Sequence, residues 1–243
     1  MKPTSQKNAH PCPHPHRSTA GGFTLVEVMI ALTIMVSVLA MASSFLMEST
    51  LINFRSTAKN NINRELRNTI NRMAIEAKQS NFFLIYESAE DTERYNRDDR
   101  RRPNESGDAL LLVFKSGYPD MEALGMDPLR DPRPITRMVL YYRDANTVID
   151  GASVGPVMRW EKDFSADPIT ERQDIREVER LLPLFEQLRK ESTQIMAFSE
   201  GLVNNRLFYN FQNRTIMING RIIHGNQAKW VTDTYNFSIS PRG

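Results

Sequence analysis

Gly21-Gly22-Phe23-Thr24-Leu25-Val26-Glu27 opens an apolar run that continues to Met47. Glu27 is the single charged residue between Phe23 and Met47, and the run holds neither proline nor glycine. About 20 consecutive apolar residues suffice to cross a bilayer core as a helix. The run therefore reads as a membrane-crossing helix. A carboxylate inside such a segment costs about 2.5–3.5 kcal/mol on insertion scales, so an acid kept there marks a functional site. Gly21-Gly22, directly before the run, lets a peptidase approach the backbone without side-chain hindrance.

Beyond Met47 the helical pattern continues. Ala58, Ile62, Leu66, Ile70, Met73 and Ala77 recur at three- and four-residue steps, as one apolar face of a helix requires. Lys59, Arg64, Glu65, Arg67, Arg72, Glu76 and Lys78 fall mainly on the other faces. No Pro or Gly occurs from Phe23 to Arg102, so the pattern predicts one helix from about Thr24 to about Ser80. Its first half is apolar all round and needs lipid or partner helices. Its second half needs a folded domain on one side only. A soluble coiled coil would carry charges at e and g positions. Phe23–Met47 has no such faces.

Gly22-Phe23-Thr24-Leu25-Val26-Glu27-Val28 resembles the cleavage and methylation signal of type IV prepilins and type II secretion pseudopilins. The resemblance implies that a membrane-bound prepilin peptidase cuts after Gly22 and methylates the new amine on Phe23. It implies an assembly role for Glu27, toward other pilin or pseudopilin subunits joined through the N-terminal helix. It also implies a bacterial inner-membrane protein with a single span and a periplasmic head, later part of a pilus or pseudopilus. Two features depart from the family pattern: the leader is long, and Gly21 stands where a basic residue is usual. An ordinary secretory signal would be cut after the apolar run, near Ala42-Ser43. That reading leaves Glu27 without a role.

Residues 1–22 read as a basic, proline-rich leader that processing removes. Three of the chain's 31 basic residues, Lys2, Lys7 and Arg17, lie in it; 28 remain against 29 acids, a formal charge of −1. Nothing in that balance points to nucleic acid. The single cysteine, Cys12, is also in the leader, so the chain from Phe23 onward forms no disulfide. His10, Cys12, His14 and His16 alternate with Pro11, Pro13 and Pro15, which hold them in an extended segment rather than a metal site.

From Phe82 the period shortens. Phe82–Tyr86, Leu110–Phe114, Met138–Tyr142 and Val157–Trp160 read as strands, as do Gln194–Phe198, Leu207–Phe211, Thr215–Ile218, Arg221–Ile223 and Thr234–Ile239. Asn219-Gly220 reads as a type I′ turn joining two of them. Asp174–Lys190 reads as a short helix that Pro183 kinks or divides. Glu87–Asp108 and Ser116–Pro134 read as long loops. The expected fold is α+β and pilin-like. Its segments are residues 23–47 for membrane and assembly, 48–80 for the amphipathic half-helix, and 81–243 for a head whose antiparallel sheet packs on that half-helix.

Chemistry is sparse in the head. His224 follows a predicted strand and reads as a turn residue, and no phosphate loop or paired-cysteine metal site is present. Glu90-Asp91, Asp98-Asp99 and the Asp127/Asp131 pair lack EF-hand spacing. Arg97–Arg102 is basic, but Asp91, Glu93, Asp98 and Asp99 interleave with it, so it reads as a solvated loop. The expectation is a structural minor subunit, neither an enzyme nor a cofactor protein. Size and layout resemble a J-type minor pseudopilin or a W-type minor pilin. The competing readings are a signal-anchored binding protein, which requires a polar cleft in the head, and a DNA-uptake pilin.

Overall fold

With no proline or glycine to break it, helix α1 runs unbroken from Leu25 to Gln79, 55 residues. It is the opening element of a computed structural model that describes residues 22–90, 102–117, 133–145, 147–149, 151–170, 175–202, 204–224 and 231–241. The chain divides into two compact units, Met1–Ile52 and Asn53–Gly243.

In the first unit every residue from Gly22 to Glu48 is exposed. This stretch is long and apolar enough to cross a membrane. Two hydroxyls inside it are satisfied by the helix backbone itself. Thr33 Oγ1 donates to the Met29 carbonyl at 2.7 Å and Ser37 Oγ to the Thr33 carbonyl at 2.8 Å. Thr50 repeats the bond to Leu46 at 2.7 Å. In lipid no water would otherwise meet those groups.

In the second unit α1 buries Ala58, Ile62, Leu66, Met73 and Ala77, with Ile70 half-buried, the face that the spacing predicts. Two polar residues share that face, Thr69 and Glu76. The glutamate corrects the sequence reading, which put it with the solvated charges. The helix stops at Ser80, whose hydroxyl donates to the Ala77 carbonyl at 2.7 Å and takes the chain out of the helical ladder.

Ten strands among the described residues form one antiparallel sheet: β1 (Phe82–Tyr86), β2 (Ser106–Gly107), β3 (Ala109–Lys115), β4 (Ile135–Arg143), β5 (Thr147–Ile149), β6 (Ala152–Asp163), β7 (Thr193–Gly201), β8 (Phe208–Phe211), β9 (Thr215–His224) and β10 (Val231–Ile239). The order is β1-β3-β4-β6-β7-β9-β8-β2, with β10 also on β9 and β5 also on β6. Leu110, Leu112, Val139, Tyr141, Ile216, Ile218 and Ile222 point toward α1 in one core cluster. Leu111, Val113, Met138, Leu140 and Tyr142 form a second cluster on the opposite face. That face is covered by helices α2 (Ile175–Arg180) and α3 (Phe185–Glu191), which bring Val178 and Leu188. Two-sided burial explains why β3 is a continuous apolar run rather than an alternating one. Pro183 lies between the two short helices and divides them, as its lost N–H requires.

The sheet exceeds the predicted strands in two places. Ser106–Gly107, within the predicted loop 87–108, pairs with Phe208 and Tyr209. Thr147–Ile149 pairs with the start of β6, and Ile149 faces Ala152 across a connection ending in Gly151 at φ 81°.

The structure replaces one expected turn with continuous strand. Asn219-Gly220 lies mid-strand in β9. The tight turns fall instead at Asn204-Asn205 (φ 52° and 57°) and Gln212-Asn213 (φ 54° and 57°). Asn tolerates positive φ because its short polar side chain bonds locally; Asn210 Oδ1 accepts from the Asn213 N–H at 2.9 Å. Gly220 serves packing. It pairs with Tyr235, and an added Cβ would stand 2.3 Å from the phenol oxygen and 2.4 Å from Cζ. The ring cannot swing away, because it is buried and its hydroxyl shares a 2.7 Å bond with Ser199 Oγ. Gly220→Ala is expected to lower stability by about 1–3 kcal/mol, the usual cost of overpacking. A urea midpoint unchanged from wild type would contradict this.

Candidate processing and assembly site

The start of α1 is built by four residues. Thr24 is the last non-helical residue before Leu25. Its backbone N–H donates to Glu27 Oε2 at 3.0 Å, its hydroxyl donates to the same oxygen at 3.0 Å, and the Glu27 N–H donates to Thr24 Oγ1 at 3.3 Å. This reciprocal arrangement is a capping box, with threonine at the cap and glutamate three residues on. It satisfies two helix N–H groups left over at the terminus. A negative carboxylate at the positive end of the helix dipole adds to it. Glu27 remains exposed, with Oε2 turned back to Thr24.

Phe23 precedes the cap and is 87% exposed. At Gly22 an added Cβ would meet nothing within 4 Å. No described contact asks for glycine at this position. Three sequence-predicted residues, Gly22, Phe23 and Glu27, therefore stand together on the surface at one helix end.

Residues 17–43 match the family model described as the prokaryotic N-terminal methylation motif. The chain carries a type IV prepilin-like signal. The methylation motif spans the cap, the lone acid and most of the apolar run. It implies processing by prepilin peptidase and assembly with pilin-type subunits in general terms. Comparison with curated proteins and with solved structures found no match.

The remaining candidates lie in the head. His224 ends β9. Asp91, Asp98, Asp99, Asp127, Asp131 and Arg97–Arg101 lie outside the described residues. Among the described residues no three His, Cys, Asp or Glu side chains gather as a metal site would require.

Two buried charge clusters were not legible beforehand. At the first, Glu76 on α1 accepts from Arg159 at 2.6 Å and 3.3 Å and from the Tyr141 hydroxyl, while Arg72 approaches at 3.4 Å. Arg159 also meets Glu161 at 2.7 Å. Burial pushes the Glu76 carboxyl up, but the Arg159 and Tyr141 bonds outweigh it and hold it below the ordinary glutamate range. Burial and the Glu76 charge together push the Tyr141 hydroxyl up, keeping it a neutral donor.

The second cluster centres on Asp108, between β2 and β3. Arg143 binds it through both ends of its fork, at 3.1 Å and 2.7 Å. Arg206 adds a bond at 3.0 Å and the Leu207 N–H another at 3.0 Å. Arg206 also meets Glu87 at 2.6 Å. Beside this cluster lies an open cleft of about 330 Å³, lined by Glu90, Asp108, Arg143, Asp144, Arg189 and Arg206 among others. Its charges are largely paired within the protein; Arg189, for instance, holds Asp144 at 3.0 Å.

Proposed function

We propose that the protein is a structural minor subunit of a type IV pilus or type II secretion pseudopilus. In this reading prepilin peptidase cuts between Gly22 and Phe23, removing residues 1–22, and the Phe23 amine is methylated. Residues 23–47 anchor the chain in the inner membrane, residues 48–80 carry the head, and 81–243 form the head on the periplasmic side. Assembly then withdraws the anchor from lipid. An unpaired buried charge is expensive, so Glu27 takes the Phe23 ammonium of a neighbouring subunit as its counter-ion, which sets the axial stagger between helices. Size and layout favour a J-type minor pseudopilin or a W-type minor pilin.

The observation that carries the reading is the methylation motif at residues 17–43, placed over an exposed apolar helix whose one acid sits at its capped end. The polar cleft in the head suits the competing reading, a signal-anchored binding protein. That reading gives Gly22 and Glu27 no role, and the cleft's charges are mostly engaged with each other.

N-terminal mass spectrometry of protein from its native membrane decides between them. The expected result is a chain that starts at N-methylated Phe23. A chain that starts at Met1, or inside the apolar run, overturns the proposal. Glu27→Ala is expected to leave insertion and cleavage intact and to abolish incorporation into the fibre, read by the fraction of processed chain that co-purifies with sheared filaments. Incorporation at the wild-type level would remove Glu27 from assembly.

A further inference from the structure

The bond that opens the helical ladder of α1 runs from the Val28 N–H to the Thr24 carbonyl at 3.2 Å. One residue earlier, the Glu27 N–H turns to Thr24 Oγ1 at 3.3 Å. In a helix each N–H binds the carbonyl four residues back. The acceptor that Oγ1 replaces is therefore the Phe23 carbonyl. The next one upstream, for the Val26 N–H, is the carbonyl of Gly22. In lipid these first-turn N–H groups meet no water, so winding further toward the leader is the other way to satisfy them. Thr24 stops that winding one step before Phe23. Gly22, Phe23 and Thr24 accordingly lie in neither helix nor strand, and α1 begins at Leu25. Glycine at 22 adds the same bias, because it is a poor helix former.

The carbonyl so kept out of the helix is the one that the proposed processing attacks. Cutting after Gly22 adds water across the Gly22–Phe23 bond. The C–N bond breaks, the Gly22 carbonyl carbon takes the water oxygen and becomes a carboxylate, and both water protons end on the Phe23 nitrogen as an ammonium. Peptide hydrolysis requires the carbonyl oxygen free to meet donors that stabilise the developing oxyanion. A Gly22 oxygen already bonded to the Val26 N–H inside a helical turn is not free in that way.

We propose that Thr24 is a positioning residue for prepilin processing: its hydroxyl caps α1 at the Glu27 N–H and so keeps the Gly22 carbonyl outside the helix for the peptidase. It acts through the main chain, with no contact to the peptidase required. The two residues of the capping box then have different tasks. The Oγ1 bond survives loss of the Glu27 side chain, because its donor is main chain. That fits the intact cleavage expected of Glu27→Ala. The inference rests on the reading that the chain is cut between Gly22 and Phe23.

The test uses the full chain in its native cells. Cleavage of the membrane-integrated precursor is followed by pulse-chase, and the cut position is read by mass spectrometry. Thr24→Val keeps the shape and removes the hydroxyl; its cleavage is expected to be about fivefold slower, the factor that loss of one N-cap bond typically carries. Thr24→Ser and Thr24→Asn, which cap as well as threonine or better, are expected to stay within about twofold of wild type. A peptidase that recognised threonine by shape would give the opposite order, accepting valine and rejecting asparagine. In detergent, the backbone NMR shifts of Gly22 and Phe23 in the uncut chain should move toward helical values in Thr24→Val and stay in place in Thr24→Asn. Valine cut at the wild-type rate, asparagine cut as slowly as valine, or unmoved Phe23 shifts in Thr24→Val overturns the inference. Cleavage after Gly22 at one rate in every variant sinks this proposal alone, whereas a wild-type chain never cut there sinks the processing reading beneath it.

Discussion

Asp108→Ala is expected to cost the head about 3–5 kcal/mol, the usual result of removing one partner from a buried ion pair. Arg143 has a side chain only 1% exposed and Asp108 one 2% exposed. Without the carboxylate the guanidinium keeps its bonds to the Ser153 and Asn205 carbonyls but loses its counter-charge. Arg206 loses a bond as well, and the buried Leu207 N–H is left without its acceptor. The cluster joins the end of β1, the β2–β3 junction, β4 and the turn before β8, so its loss loosens four parts of the sheet at once. Domains of this size are stable by about 5–15 kcal/mol. The substitution thus removes a large fraction of the total. The measurement is urea unfolding of the whole chain in detergent, followed by fluorescence of buried Trp160. The exposed Glu186→Ala serves as control and should stay within about 0.5 kcal/mol of wild type. If Asp108→Ala unfolds at the same urea concentration as that control, the cluster does not hold the sheet together.

The second large effect falls at Glu76 and depends on pH. Its carboxyl titrates below the ordinary glutamate range in the fold, because the bonds from Arg159 and Tyr141 outweigh burial. A depressed folded value means that the unfolded chain binds the proton more readily. The stabilisation is therefore complete above the unfolded value of about 4.3 and is lost as pH falls through the lower folded value. Glu76→Gln keeps the shape but cannot hold Arg159 by charge. It is expected to be less stable than wild type at pH 7, and the difference should shrink as the solution is acidified below pH 4. Glu76→Ala goes further and leaves Arg159 with Glu161 as its acidic partner, at a cost of about 3 kcal/mol. Urea midpoints at pH 7, 5 and 3.5 for wild type and Glu76→Gln test this. A gap between the two that is constant over that range would mean that Glu76 contributes no linked proton.

Much of the fold was legible. The helix bounds, the buried stripe from Ala58 to Ala77 and the division at Pro183 all follow from local rules: absence of breakers, a 3.6-residue period, a missing N–H. Most strand centres were legible for the same reason. The errors share a cause. Asn219-Gly220 has the composition of a turn, but in this chain glycine was needed to admit the Tyr235 ring from the next strand. Glu76 has the composition of a solvated helix charge, but Arg159 and Tyr141, 83 and 65 residues away, wait for it in the sheet. Neither partner can be read from a local window.

At the candidate processing site the balance is different. Gly22, Phe23, Thr24 and Glu27 lie within one short stretch, so their arrangement is local. What the sequence determined by itself is the apolar helix, its lone acid and the signal that precedes it, because each depends on neighbours within one or two helical turns. What the tertiary structure alone decided is the two-sided sheet and the charge clusters at Glu76 and Asp108. Those depend on which distant strands meet, and pairing of that kind is settled by burial over the whole head rather than by any one stretch of chain.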